Sequence, residues 1–331
     1  MKKYIVLAAI FVAVTGVFFI LQSQDVNKQQ TVTEQKQKVT VLLDWIPNTN
    51  HTGLYAAREK GFYDKQNLDV QIIQPTEGDA GQIVAAGKAD FAISSQESVT
   101  LARAKDIPLV SIAAVMQHNT SAFASLKSAS ITAVKDFEDK RYGGWGSPIE
   151  KAVIESVMAD AGGDFGKVKQ VTIGATDFFT TIGRDSDFQW IFYGWDGVEA
   201  KRRGKDLNLI MLKDLNPVLD YYTPVIITNE KHVNSQKELV KKFMKATTEG
   251  YEFSEKHPDE AAAILLKNAP ELNKDLVKQS QAWVSPQYTA DAASWGIQKN
   301  EVWKRYADWL YEHKQIERNI DTKKAFTNEF L

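Results

Sequence analysis

The chain has 331 residues, 44% of them apolar, with 40 Lys and Arg set against 42 Asp and Glu. This is enough for one large or two modest cored domains, and a formal charge of −2 leaves no electrostatic footprint for nucleic acid or an anionic membrane surface. The absence of cysteine excludes disulfides, thiolate metal sites, a cysteine nucleophile and a lipid anchor on cysteine.

Met1-Lys2-Lys3 is basic, and residues 4–21 are apolar or small without interruption. About 18 such residues just cross a bilayer and exceed the roughly 7–15 of a signal-peptide core. No small-x-small cleavage site follows, so residues 1–22 are expected to be an uncleaved anchor helix; a cleaved signal is the alternative. In both cases the lysines stay in the cytoplasm and the remainder is exported, secreted or periplasmic if cleaved. Residues 23–38, rich in Gln, Lys, Thr and Val, read as a flexible linker.

From residue 39 strands and helices alternate. Strands are expected at 39–43, 68–74, 89–94 and 109–115, and helices at 51–66, 80–86 and 96–105. This βαβ rhythm predicts a largely parallel, doubly wound sheet. After a looser stretch a second series follows: helix 134–139, strand 141–145, helix 148–161, strands 168–173 and 189–193, helix 197–203 and strand 207–212. Ser147 before Pro148 is a strong helix start. Residues 222–228 read as a strand returning to the first lobe. The remainder is helical, with 237–256, 258–267, 274–282 and 299–313 as the best segments.

Trp303, Tyr306, Trp309 and Leu310, at three- and four-residue spacing, form a core stripe. The organisation expected is lobe 1 at 39–125, an inserted lobe 2 at 126–218 and the rest of lobe 1 at 219–331. The chain crosses between lobes near 116–128 and 216–224. Ligand sites favour such domain interfaces.

Four segments would line that cleft. In the turn after the first strand, Trp45, Asn48, Asn50 and His51 occupy the ligand side of an open α/β sheet, with helix capping as the alternative role. Ser95 and Gln96, at a strand-to-helix junction, offer a hydroxyl and backbone N–H groups to a polar ligand edge, or simply cap the helix. In Gly143-Gly144-Trp145-Gly146-Ser147-Pro148-Ile149-Glu150, Trp145 could stack on a flat ring, while Ser147 and Glu150 also fit a capping box. The segment lacks the lysine and spacing of a phosphate loop.

In Trp190-Ile191-Phe192-Tyr193-Gly194-Trp195-Asp196, aromatic rings beside a carboxylate suit a planar nitrogen heterocycle, whose amine donates to the acid. Tyr193, Trp195 and Asp196 are the preferred ligand residues; Trp190 and Phe192 fit the core, and Glu199 a helix surface. No acid, base and nucleophile converge, and the five histidines lack metal spacing. No cofactor and no metal are expected.

Trp45-Ile46-Pro47-Asn48-Thr49-Asn50-His51-Thr52-Gly53-Leu54-Tyr55, Lys60-Gly61-Phe62-Tyr63, Leu68-Asp69-Val70 and Gly87-Lys88-Ala89-Asp90-Phe91-Ala92-Ile93, with segments 143–150 and 192–199, resemble the thiamine pyrimidine-precursor (formylaminopyrimidine) binding proteins. The likeness covers residues 39–331. It implies the two-lobed periplasmic-binding-protein fold (type II) of ABC-importer solute-binding subunits, whose superfamily also holds sulfonate, taurine and nitrate binders. It implies a monomeric, non-enzymatic receptor partnered by an ABC permease and ATPase, with a substituted aminopyrimidine stacked on aromatics and held by a carboxylate. The superfamily also contains the pyridoxal-phosphate-dependent aminopyrimidine synthase of eukaryotes. Where that branch has its cofactor lysine and donor histidine, this chain has Ser94 and Ser98. An aliphatic sulfonate or other organic anion is the alternative ligand, but the four segments hold no Arg or Lys except Lys151 at an edge.

Overall fold

A computed structural model describes residues 35–74, 79–174 and 176–331, and residues 36–331 form one compact unit. The apolar run expected as an anchor lies outside the described residues. Within them no helix is long and apolar enough to cross a membrane.

Two five-stranded sheets organise this unit. The strands are β1 (Gln37–Leu42), β2 (Leu68–Ile73), β3 (Phe91–Ser94), β4 (Leu109–Ala114), β5 (Ser121–Leu126), β6 (Arg141–Gly144), β7 (Lys169–Thr172), β8 (Phe188–Phe192), β9 (Leu207–Met211) and β10 (Val225–Asn229). The first sheet has the order β2-β1-β3-β10-β4 and the second β7-β6-β8-β5-β9. β1 runs parallel to β2 in the register Gln37↔Leu68 to Leu42↔Ile73, and β6 parallel to β7 from Arg141↔Lys169 to Gly144↔Thr172. β10 is antiparallel to β3 and β4, and β5 to β8 and β9. Each sheet is thus parallel except for the first strand laid down after the chain crosses from the other sheet.

The helices that matter for the site are α1 (Thr52–Glu59), α2 (Gln96–Ala104), α3 (Pro148–Asp160), α4 (Val198–Arg202), α5 (Lys237–Lys256), α6 (Lys274–Val284) and α7 (Asn300–Glu312). The helix expected over 51–66 is divided: Gly61 takes φ +71°, a left-handed conformation that glycine adopts without a Cβ penalty, and a new turn, Phe62–Lys65, starts there. α3 begins as expected. Ser147 caps it, Pro148 occupies the first turn and Glu150 completes the capping box.

β5 is a strand without a counterpart among the segments expected from sequence. Its residues, Ser-Ala-Phe-Ala-Ser-Leu, are nearly all buried, so no polar–apolar alternation marks a strand. The strand expected at 222–228 starts later, after Pro224, whose ring nitrogen cannot donate to a ladder.

Apolar residues of β1 (Val39, Val41) pack with Leu54 of α1 and with Leu239, Val240, Phe243, Met244 and Tyr251 of α5 in one core. The Phe91 and Phe243 rings stack within it at 3.8 Å. A second core under the other sheet joins Phe123, Phe137, Phe188 and Trp190 to Val153 and Ile154 of α3. α7 serves both sheets. Trp303 packs with first-sheet residues, while Tyr306, Trp309 and Leu310 pack with the second. All four are buried, as their spacing requires.

Candidate functional site

The carboxyl ends of the two sheets face a shared cavity of about 620 Å³. From the first sheet come Asp44, Trp45, Ile46, Asn48, Thr49 and Asn50, in the turn after β1. The second sheet supplies Gly143, Gly144 and Trp145 after β6, then Ile173, Gly174 and Thr176 to Phe179 after β7, and β8 with its following turn through Trp195 and Asp196. Thr120, Thr223 and Pro224, at the crossovers, form the remaining wall with Leu276 of α6. Trp45 and Trp145 keep 46% and 44% of their surface exposed, large for tryptophan, and that surface borders the cavity. The Trp145 ring lies 5.9 Å from Trp190 at an interplanar angle of 51°.

The turn after β1 is rigidly built. Asn48 Oδ1 accepts the Asn50 backbone N–H at 2.9 Å, and its own N–H donates to His51 Nδ1 at 3.2 Å. Because Nδ1 accepts, the ring proton sits on Nε2, which donates to Asp44 Oδ1 at 2.7 Å. Tyr251 and Tyr288 donate their hydroxyls to the carbonyls of Asn50 and Thr49 at 2.8 and 2.5 Å. His51 is fully buried behind the wall, where it orients Asp44 and does not face the cavity.

The turn after β8 is a wide, π-type turn over Tyr193–Gly197 that continues into α4. Gly194 must lie close to α6: a Cβ there would stand 2.8 Å from Val284 and 3.1 Å from Trp283. Ser280 of α6 donates to the Gly194 carbonyl at 2.5 Å and shares a hydrogen bond with Thr49 Oγ1 at 2.7 Å. The two cavity-forming turns are therefore tied through one serine. Asp196 retains some exposure, directed onto the cavity, but the surrounding protein desolvates its carboxyl. Desolvation, reinforced by Asp177 and Glu199, pushes its pKa up to about 6.

Of the residues expected from sequence to bind ligand, Trp45, Asn48, Asn50, Trp145, Trp195 and Asp196 border the cavity. The others do not. Ser95 caps α2 by accepting the Ser98 N–H at 3.0 Å. Gln96 is fully buried, accepting the Tyr222 N–H at 2.9 Å and donating to the Val302 carbonyl at 3.2 Å. Ser147 caps α3. Tyr193 turns away and packs on Trp283 with ring centroids 4.8 Å apart. For these residues the capping and packing roles prevail over the ligand role.

Glu199 was read as a helix-surface residue, but it is buried and borders the cavity. Arg202 binds it at 2.6 and 2.8 Å and Arg203 at 2.5 Å, the Arg202 hydrogen bonds holding its carboxyl below the usual range. Trp190 and Phe192, read as core, also contribute to the cavity wall.

Asp177, Phe178, Phe179 and Arg203 line the cavity as well and were not anticipated. The signal for the first three was present, since they follow strand β7 at the carboxyl edge where ligands sit. Arg203 gave no signal, because a basic residue ending a helix is ordinary. No group of three or more His, Asp or Glu among the described residues could hold a metal ion.

This architecture defines a class: an α/β protein with two mixed sheets sharing a ligand-sized cavity, the periplasmic-binding-protein fold. The alkanesulfonate-binding protein SsuA of Xanthomonas axonopodis pv. citri shares it, with a TM-score of 0.69 at 12% identity, over 88% of this chain and 99% of that one. The chain belongs to the NMT1/THI5 like family, whose model matches residues 48–261. It is 30% identical to a formylaminopyrimidine-binding protein of Halalkalibacterium halodurans, over 89% of this chain and 91% of that protein. It is also 27% identical to a 4-amino-5-hydroxymethyl-2-methylpyrimidine phosphate synthase of Legionella pneumophila, over 89% and 93%.

Proposed function

We propose that this protein is the extracytoplasmic solute-binding component of an ABC importer and that it captures a thiamine pyrimidine precursor of the formylaminopyrimidine type. The ligand sits between lobe 1 (39–125 and 219–331) and an inserted lobe 2 (126–218), and is handed to a permease and its ATPase. The observation that carries this reading is the cavity's make-up: Trp45, Trp145 and Trp195 around the desolvated carboxylate of Asp196. Indole faces stack on a planar heterocycle, and the carboxylate accepts from its exocyclic amine. The likeness to a formylaminopyrimidine-binding protein supports the same ligand class. A receptor without catalysis fits a site that binds and orients the ring through Trp45, Asn48, Asn50, Trp145, Trp195 and Asp196.

An organic anion is the rival ligand, and Arg203 is the observation in its favour. Against it, Asp44, Asp177, Asp196 and Glu199 face the same cavity, four carboxylates to one arginine. The balance favours a ligand that donates hydrogen bonds. A thermal-shift screen against aminopyrimidines, thiamine and aliphatic sulfonates tests the choice, because a ligand that binds only the folded state raises Tm. The expected rise is with the aminopyrimidines; a rise confined to sulfonates would overturn the ligand assignment.

A further inference from the structure

Arg203 stands apart from the other basic residues near the cavity. Its guanidinium lies over the Phe179 ring, 4.3 Å from the centroid, and its Nε donates to Glu199 Oε1 at 2.5 Å. Among the described residues, its two terminal nitrogens have no hydrogen-bond partner. The side chain remains 40% exposed and borders the cavity. Arg202, by contrast, spends both Nε and a terminal nitrogen on Glu199. The cation–π contact with the aromatic face holds the guanidinium in place. The Glu199 bond fixes its rotation, so the unused nitrogens are held as a donor pair.

Such a pair is complementary to an oxygen acceptor. The opposite polarity is supplied by Asp196, a carboxylate that takes donors. The cavity therefore offers an acceptor to one part of a ligand and a donor pair to another.

We infer that Arg203, seated on Phe179, is a specificity-determining residue whose donor pair takes the oxygen acceptor, an amide carbonyl or a phosphate, on the ligand's side arm. This inference rests on the aminopyrimidine reading and assigns a residue to the ligand's side arm. An aminopyrimidine bearing only alkyl groups would satisfy Asp196 and leave Arg203 unused.

The test uses calorimetry on the full-length protein and its Arg203→Met variant, with three 4-amino-2-methylpyrimidines. These carry at position 5 a methyl, a formylaminomethyl or a phosphonooxymethyl group. Arg202 keeps both of its bonds to Glu199, so the substitution does not orphan that carboxylate, and Tm confirms folding. Hydrogen bonds to a charged group are among the stronger ones, so at least one acceptor-bearing compound is expected to bind the parent more than about tenfold tighter than the methyl compound. In Arg203→Met the preference collapses to within about threefold, while the methyl compound binds as before. Preference for the formamide identifies a neutral carbonyl; preference for the phosphate, weakening with added salt, identifies an anion. Equal binding of all three by the parent, or an unchanged preference in the variant, would overturn the inference and leave the aminopyrimidine receptor standing. If none binds the parent, the receptor reading falls and takes this inference with it.

Discussion

Asp196 shows how one side chain can be costly to the fold and yet suit the proposed ligand role. Its carboxyl titrates near pH 6, chiefly because burial penalises the charged form. The folded state then holds a proton that the unfolded chain, with a pKa of about 3.9, gives up. The ionised form therefore lowers stability above pH 6, and the cost is relieved as pH falls through 6 towards 4. Ligand amine donors need the ionised form, so affinity should fall as pH drops below 6 and level off above 7. Calorimetry from pH 5 to 8 checks the sign, and affinity that rises on acidification would remove Asp196 as the acceptor. Asp196→Asn, uncharged and of similar shape, should weaken binding by more than about tenfold while melting at or above the parent temperature at pH 7.5. Unchanged affinity would take Asp196 out of the site. His51 leaves both roles open in the sequence: a histidine beside Trp and Asn in a ligand-side turn has the same spacing whether it faces the cavity or clamps the turn. Only its bonds to Asp44 and to the Asn48 backbone decide.

At the scale of elements, legibility tracked periodicity. α5 and α7 carry apolar stripes at helical spacing, and both appear within a residue of the expected limits. β5 has buried residues on both faces and gave no period to read. The aromatic pair after β7 is legible by the same rule as Trp45, since both follow the carboxyl end of a strand. α7 permits a direct test of the core reading. Trp303 is fully buried, stacks on Phe326 at 5.5 Å, and donates Nε1–H to Gln298 Oε1 at 3.2 Å. The same Gln298 oxygen accepts from Ser111 of β4 at 2.7 Å. Trp303→Ala should cost about 3–5 kcal/mol, seen as a fall in Tm, with ligand affinity preserved in the folded fraction. A variant that melted like the parent but lost its ligand would move Trp303 from the core to the site.

At the scale of the whole molecule, the two crossovers between the sheets are where any opening or closing must be absorbed, and they are fastened to each other. His118, on the outgoing crossover, binds Asp220 of the return crossover through Nδ1 at 2.7 Å and Asp291 through Nε2 at 2.9 Å. Asp220 also accepts the Asn119 backbone N–H at 2.9 Å, and Asn119 Nδ2 donates to the Leu219 carbonyl at 2.8 Å. A ring with carboxylates on both nitrogens makes both bonds only as an imidazolium. Burial alone would lower the His118 pKa, but the hydrogen bonds and charges of Asp220 and Asp291 outweigh it and raise the value. Asp291, held low mainly by its hydrogen bond to His118, also feels Lys299, and Asp220 acts on Tyr222.

A histidine pKa raised by folding contributes stability that is complete below the unfolded value of about 6.5. That contribution is lost as pH climbs through the raised folded value. His118→Gln has one donor nitrogen in place of two and no charge, so it should melt below the parent at pH 6, and the gap should close as pH rises towards 9. Melting curves of both proteins at half-unit intervals test this. A gap that stays constant with pH would show that His118 fastens the crossovers by packing rather than by charge. If the proposed closure on a ligand bends these segments, the ligand affinity of the parent should change across the same window more than that of the variant. If both show the same pH profile of affinity, the clasp belongs to folding alone and closure takes place elsewhere.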